Sequence, residues 1–579
     1  MLLAALSMSA PAGYAAAQSS ADAHFKALYT KEWKWRQAQR GEEGEDDDGS
    51  HIAPKLPKVD LNTQNVRLAY WSQVMEELGR IPVSELTDAN QINYRVYHDQ
   101  LAVLIADQTF KDYEKPLNAD TAFWSNVAST ARSDLKTIED YENYISQMND
   151  MPRYFREETD NMRAGLKRGF TPPKVTLIGR DSSIASIADA KTPQDSLYYK
   201  PFEAMPAAIP KDIQARLRAQ GAAAIAQSVI PAHVALLAFI RNDYIPGARI
   251  ALDADSLPDG KAYYQSKIFE FATTNMTPEQ IHQLGLDEGA KIRTEMLAVM
   301  KAVGFKGDLP AFLQFLRTDP QFYAKTPEEL LMRTAYFAKS FDGVASLYFG
   351  YLPRSRFAIK PVPADQAPFY TSGRGGPGVY LVNTYDLPSR GLYSMPALTL
   401  HESAPGHAFQ MPIALEHKDL PDFRRVYISA YGEGWALYCE RLGAEMGMYR
   451  TPYETFGMLS YQAWRAARLV VDTGIHTQGW TREQAQAYLR ENTALSNHEI
   501  ETEVDRYIAW PGQALSYYLG EAAIWKARHK AEAALGAKFN IRAFHDAVLE
   551  LGSVPLPVLE AHIDRFIAGG GKGPYPDME

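Results

Sequence analysis

The stretch that decides how this 579-residue chain is read is Leu398-Thr399-Leu400-His401-Glu402-Ser403-Ala404-Pro405-Gly406-His407-Ala408-Phe409-Gln410. It opens as an apolar helix, carries two histidines six residues apart, and sets Pro405 and Gly406 between them. On an unbroken helix six residues rotate by about 600°, so the two imidazoles would diverge by about 120° and could not reach one ion. Pro405 has no N–H to donate to the carbonyl of His401 and its ring clashes there, while Gly406 accepts backbone angles that other residues avoid. The segment therefore predicts a broken helix. With two residues looped out, the histidines regain the effective spacing they have in the HExxH pattern of zinc hydrolases. Histidine makes up 13 of 579 residues, so a second one at a fixed offset arises by chance only about 2% of the time, before Glu402 and the break are required. His401 and His407 are candidate metal ligands, and Glu402 is the candidate base.

A catalytic zinc usually has three protein ligands and one open position. Cys439 is the only cysteine, which excludes an intramolecular disulfide and a cysteine-built metal site, so the third ligand is sought among carboxylates. Tyr431-Gly432-Glu433-Gly434-Trp435-Ala436-Leu437-Tyr438-Cys439-Glu440 places two carboxylates seven apart, on one face of an otherwise apolar helix. A carboxylate there is costly unless paired or metal-bound. Glu433, flanked by glycines that permit close helix approach, is the expected ligand, and Glu440 the expected partner of a ligand histidine. A salt bridge to an arginine such as Arg441 is the alternative for both.

Outward from this segment the chain reads mainly as helix. Thr277-Pro278-Glu279-Gln280, Thr326-Pro327-Glu328-Glu329 and Thr481-Arg482-Glu483-Gln484 each set a Thr cap three residues before Glu or Gln. Amphipathic stretches are expected near 63–80, 88–108, 132–168, 212–240, 278–303, 327–351, 423–447 and 513–535. Short β-branched stretches near 248–252, 357–362 and 379–383 suggest one small sheet. The Gly-rich run 370–378 lacks the ending of a phosphate loop and is read as a mobile loop. The expected architecture is mainly α, a large two-lobed helical body with a central cleft and the small sheet near the metal site.

Residues 1–17 are read as a signal peptide ending in Ala15-Ala16-Ala17, leaving 18–579 as one two-lobed domain with its metal site within 395–520. A secreted or periplasmic location follows. No later segment has 18 uninterrupted apolar residues, so no membrane span is expected. The acidic run 41–49 is read as a solvated loop. Sixty Lys+Arg against seventy Asp+Glu, a net charge of −10, supply no basic field, which argues against nucleic acid as a partner.

The HExxPGH motif, the Glu433-to-Glu440 segment, the run Arg468-Leu469-Val470-Val471-Asp472-Thr473-Gly474-Ile475-His476 and the stretch Asp505-Arg506-Tyr507-Ile508-Ala509-Trp510-Pro511-Gly512-Gln513-Ala514-Leu515-Ser516-Tyr517 resemble the bacterial domain-of-unknown-function 885 family, most strongly over 355–570. That family in turn resembles gluzincin zinc metallopeptidases, mainly helical proteins with a deep cleft between two lobes. The resemblance implies Zn2+ on His401, His407 and Glu433 with Glu402 as base, though the histidine spacing departs from the gluzincin pattern.

In such a site zinc lowers the pKa of a water, and Glu402 takes its proton and later passes it to the leaving amine. Tyr517 and His476 are candidate donors to the developing oxyanion, with a structural role as the alternative for each. Arg468 and Arg506 could hold a substrate carboxylate, or pair instead with Asp472, Glu503 or Asp505. The expected function is a zinc peptidase acting on short peptides. A non-catalytic peptide-binding protein and a zinc amidase or esterase are the alternatives. An extended peptide is expected to add to strand 379–383, with Asn383 bonding its backbone.

Overall fold

A computed structural model describes residues 12–40, 52–119, 121–364 and 367–575. The leader reading falls largely outside them, and 12–17 form the start of the first helix. The acidic run 41–49 also lies outside the described residues. The chain divides into two compact units, Met1–Ala251 and Leu252–Glu579.

The first unit is helical. α1 (Ala12–Arg40), α2 (Leu61–Gly79) and α3 (Asp88–Phe110) are tied together by Glu32, fully buried on α1. Its carboxylate pairs with Arg36 at 2.8 Å and accepts from Trp71 Nε1 on α2 and the Tyr97 hydroxyl on α3. A buried carboxylate is tolerable only with such partners, so Glu32 fixes how the three helices meet. α4 (Ile138–Arg168) starts at a capping box of Thr137 and Asp140 and ends on Gly169 at φ 76°. The helical run Lys211–Gly247 is long and apolar enough to cross a membrane by length and composition. Leu217, Ile225, Val229, Leu236 and Ile240 from it sit in the same core cluster as Tyr144, Met148 and Phe155 of α4, which is how a core helix is recognised. The strand expected near 248–252 is absent. Arg249 bonds instead to the segment after α4, its N–H donating to the Thr171 side chain and its carbonyl accepting from Lys174 N–H, and no strand forms there.

In the second unit the elements that matter below are α5 (Pro278–Ala302), α6 (Pro327–Asp342), β1 (Ala358–Pro361), β2 (Gly373–Gly376), β3 (Val379–Val382), α7 (Met395–Glu402), α8 (His407–Glu416), α9 (Ser429–Glu445), α10 (Pro452–Gln478), α11 (Asn497–Ala509) and α12 (Ser516–Leu535). The three Thr caps form as expected, each accepting from the backbone N–H three residues on. Thr451 caps α10 in the same way, with Glu454 completing the box, a signal equally present in the sequence. The sheet order is β1-β3-β2, with β1 parallel and β2 antiparallel to β3. Gly373-Arg374-Gly375-Gly376, expected to be part of a mobile loop, is thus the edge strand, and β3 is internal with both sides paired.

His545 packs fully buried in this unit, Nδ1 donating to the Tyr348 carbonyl and Nε2 accepting from the Tyr438 hydroxyl. Burial, aided by the nearby Arg528 cation, lowers its pKa to about 3. The unfolded chain takes up a proton there below about pH 6.5 and the folded chain does not, so stability falls as pH drops through that range. The loss at pH 5 relative to pH 8 is on the order of 2 kcal/mol. Urea midpoints at the two pH values should therefore drop less in His545→Asn than in the native protein, and an equal drop would refute the assignment.

Candidate metal centre

The helix breaks where the sequence says it must. α7 ends at Glu402 and α8 begins at His407. A Cβ on Gly406 would stand 1.8 Å from the His401 carbonyl oxygen, so no other residue fits this reversal. The turn is held at both sides, Gly406 N–H donating to the Leu400 carbonyl at 3.0 Å and Trp435 Nε1 of α9 donating to the Pro405 carbonyl at 2.8 Å.

The break turns both imidazoles toward Glu433. His401 Nε2 and His407 Nε2 each lie 3.4 Å from the same oxygen, Glu433 Oε2, and one donor atom from each residue falls within 4.8 Å of the others. Donors 2.0–2.1 Å from a tetrahedral ion stand about 3.3 Å apart, so this set fits a divalent metal. His401 Nδ1 is 2.8 Å from Glu440 Oε1, an acceptor only, so Nδ1 carries a proton and Nε2 is left for a ligand role. His407 Nδ1 is buried with no hydrogen-bond partner among the described residues. Burial disfavours a charged His401, but the hydrogen bonds to Glu433 and Glu440 and the charge of Glu402 outweigh it and hold its pKa at about 10. Burial likewise disfavours an ionised Glu433, yet the two histidines keep its carboxyl well below the usual range.

Two glycine contacts place α9 here. A Cβ on Gly434 would lie 2.4 Å from the Gly520 backbone of α12, and one on Gly520 would lie 1.9 Å from the Ala430 carbonyl oxygen. The helices therefore cross backbone to backbone, bringing Tyr517 on α12 beside the ligands, its ring 6.4 Å from that of His401 and nearly parallel to it. Gly432 clears space for the Tyr427 ring, which stands 6.4 Å from the ring of His407.

Glu402 is nearly buried and is held by the sheet, Gly375 N–H donating to its Oε2 at 2.6 Å. A Cβ on Gly375 would be 1.7 Å from the Glu402 carbonyl oxygen, so the edge strand rests on the end of α7 only because it is glycine there.

Other expected residues are placed elsewhere or used differently. His476 is fully buried, with Nδ1 accepting from Ala254 N–H and Nε2 donating to the Tyr507 carbonyl, so both nitrogens are occupied and neither serves an oxyanion. Asn383 is also fully buried. Its amide donates to the carbonyls of Ala367, Tyr370 and Thr371 and its oxygen accepts from Tyr385 N–H, so it shapes a loop and does not reach a substrate. The expected pairing of a peptide with strand 379–383 fails because β1 and β2 cover both of its sides.

Arg468 is buried against Tyr517, its guanidinium 4.0 Å from the ring centre, with Nη2 on Glu503 at 2.8 Å and Nε on the Tyr507 hydroxyl. Arg506 donates to Glu503, Gln513 and, at 3.3 Å, the Tyr517 hydroxyl. Of the three acidic partners weighed from sequence, both arginines take Glu503, and Asp505 pairs with Arg482. Burial opposes ionisation of Glu503, but the two guanidiniums hold its pKa at about 2.

Sequence reasoning missed Arg465. It is buried, 3.7 Å from Glu440, over the rings of Trp464 and Tyr461. Its signal was the series Tyr461, Arg465, Arg468, polar residues recurring on one face of an otherwise buried helix.

A mainly helical chain with a His-His-Glu cluster beside a sheet-held glutamate defines the class. The profile of the family described as bacterial protein of unknown function (DUF885) matches residues 39–563, and the chain belongs to that family. It is similar to the crystal structure of the putative lipoprotein from Colwellia psychrerythraea, with TM-score 0.84 and 26% identity over 96% of this chain and 99% of that one. The fold is also that of a putative lipoprotein of unknown function from Shewanella oneidensis, with TM-score 0.69 and 18% identity over 93% of this chain and 98% of that one. No curated protein matches the chain in sequence.

Proposed function

We propose that the protein is an extracytoplasmic, periplasmic or secreted, zinc-dependent peptidase acting on short peptides. One observation carries the reading: His401, His407 and Glu433 converge while Glu402, next to the first ligand, is oriented by Gly375 N–H. Two imidazoles and a carboxylate suit zinc among common divalent ions. The reading agrees with the gluzincin resemblance of the sequence. The location is supported by the leader-like composition of residues 1–17 and by the similar Colwellia psychrerythraea structure, which is described as a putative lipoprotein.

Zinc bound here would supply Lewis-acid polarisation of a carbonyl and acidify a water. The chain does the rest. Glu402 accepts the proton of the attacking water and returns it to the leaving amine, its rotation fixed by Gly375. Tyr517, clasped between the Arg468 face and the Arg506 donor, offers its hydroxyl to the developing oxyanion. Arg465 and the proton on His401 Nδ1 balance the buried Glu440, which keeps the His401 ring in one orientation.

The test is metal analysis joined to a peptide-library digest read by mass spectrometry. Protein purified without chelator should hold about one zinc per chain, cut short peptides, and lose cutting when a chelator removes the ion. Protein that neither carries nor takes up a divalent ion, or that binds peptides without cutting them, refutes the proposal. Cleavage restricted to non-peptide amides or esters would also refute it.

A further inference from the structure

α9 carries the third ligand, and its first turn departs from the usual pattern. Ile428 is the cap residue, extended at φ −107° and ψ 116°, and its N–H donates to Ser553 Oγ at 2.8 Å. Tyr427 therefore stands just outside the helix, at the position whose side chain commonly staples onto that of the fourth helical residue. The fourth residue here is Gly432. With no side chain to meet, the Tyr427 ring lies directly on the helix backbone, where a Cβ on Gly432 would come within 2.2 Å of a ring carbon and 2.4 Å of the hydroxyl oxygen. The hydroxyl thereby arrives beside the next residue, Glu433, and hydrogen-bonds its carboxylate.

This contact belongs to the metal centre on every side. The Glu433 carboxylate is the one that both His401 Nε2 and His407 Nε2 face at 3.4 Å. The Tyr427 ring stands 6.4 Å from that of His407, tilted by 67°. His401, Glu402, His407 and Tyr517 are all buried, whereas Tyr427 is 40% exposed and is the solvent-facing member of the cluster. Glu440 orients the first ligand through His401 Nδ1, and Tyr427 stands in the same relation to the third.

We propose that Tyr427 is a positioning residue of the metal centre: its hydroxyl holds Glu433 from the solvent side, and position 432 is glycine so that it can. The assignment rests on the metal reading above. A hydrogen bond of this kind limits the rotation of a ligand carboxylate before an ion arrives and keeps its second oxygen from swinging into the open position. The competing account is a plain staple, in which the ring matters and the hydroxyl does not.

The experiment measures zinc affinity, with the full chain stripped by chelator and titrated with zinc against a chromophoric competitor, so the result does not depend on turnover. Tyr427→Phe keeps the ring and removes the hydroxyl, and should weaken zinc about tenfold with the urea midpoint unchanged. The visible absorption of the cobalt-loaded variant should shift as well, which loss of a plain staple would not produce. Gly432→Ala keeps the hydroxyl but drives the ring off the helix, and should give the same loss. The double variant should be no weaker than either single one, because both changes act through one contact. Zinc affinity within twofold of native in Tyr427→Phe, or losses that add in the double variant, overturn the assignment and leave the metal reading standing. A native protein that binds no divalent ion overturns both.

Discussion

Glu402→Gln is expected to lower kcat by about a thousandfold, within the 10² to 10⁴ range of a general base, while leaving the metal content unchanged. The substitution keeps volume and shape. The amide oxygen of Gln can still accept from Gly375 N–H, now at 2.6 Å from the carboxylate, so the edge strand should stay seated on α7. On the proposed peptidase reading, what disappears is the ability to hold a proton between the water and the leaving amine. The diagnostic result is a variant with one metal per chain, a native urea midpoint and peptide cleavage about a thousandfold slower than native. Cleavage within about tenfold of the native rate would move the base elsewhere, and loss of metal along with activity would mean that Glu402 supports the ligands.

Gly520→Val should be the most damaging change outside the ligands. A Cβ there meets the Ala430 carbonyl oxygen at 1.9 Å and the Gly434 Cα at 2.7 Å, both backbone atoms that cannot rotate aside. α9 and α12 must part, taking Glu433 and Tyr517 away from the histidines. Overpacking of this kind costs about 3 kcal/mol, and the metal should be lost with it. Gly376→Ala is the matched control, since nothing lies within 4 Å of a Cβ at that position. Urea midpoints and metal content of the two variants give the comparison. Equal behaviour would mean that the helix crossing does not position the site.

Much of the centre was legible because its signals are local. Pro405 and Gly406 force a break, and the break fixes where two imidazoles can point. The Thr caps work through atoms three residues apart. Signals failed where the partner is distant or the residue lacks a side chain. Gly373-Arg374-Gly375-Gly376 has no alternation to read, so its sequence does not announce the edge strand that covers β3. His476 and Asn383 looked chemically able, but their partners are backbone groups at 254, 507 and 367–371, which no pattern of side chains announces. Arg465 was overlooked because a single arginine on a helix ordinarily faces water, and only the packing of α10 buries it.

The two histidines are not equivalent supports. His401 sits in the last turn of α7 with its ring tethered by Glu440. His407 opens α8, where the helix end is electropositive, and its Nδ1 has no tether among the described residues. The centre has a tethered half and an untethered half, so an ion larger or smaller than zinc would be fitted by turning the His407 ring rather than the His401 ring.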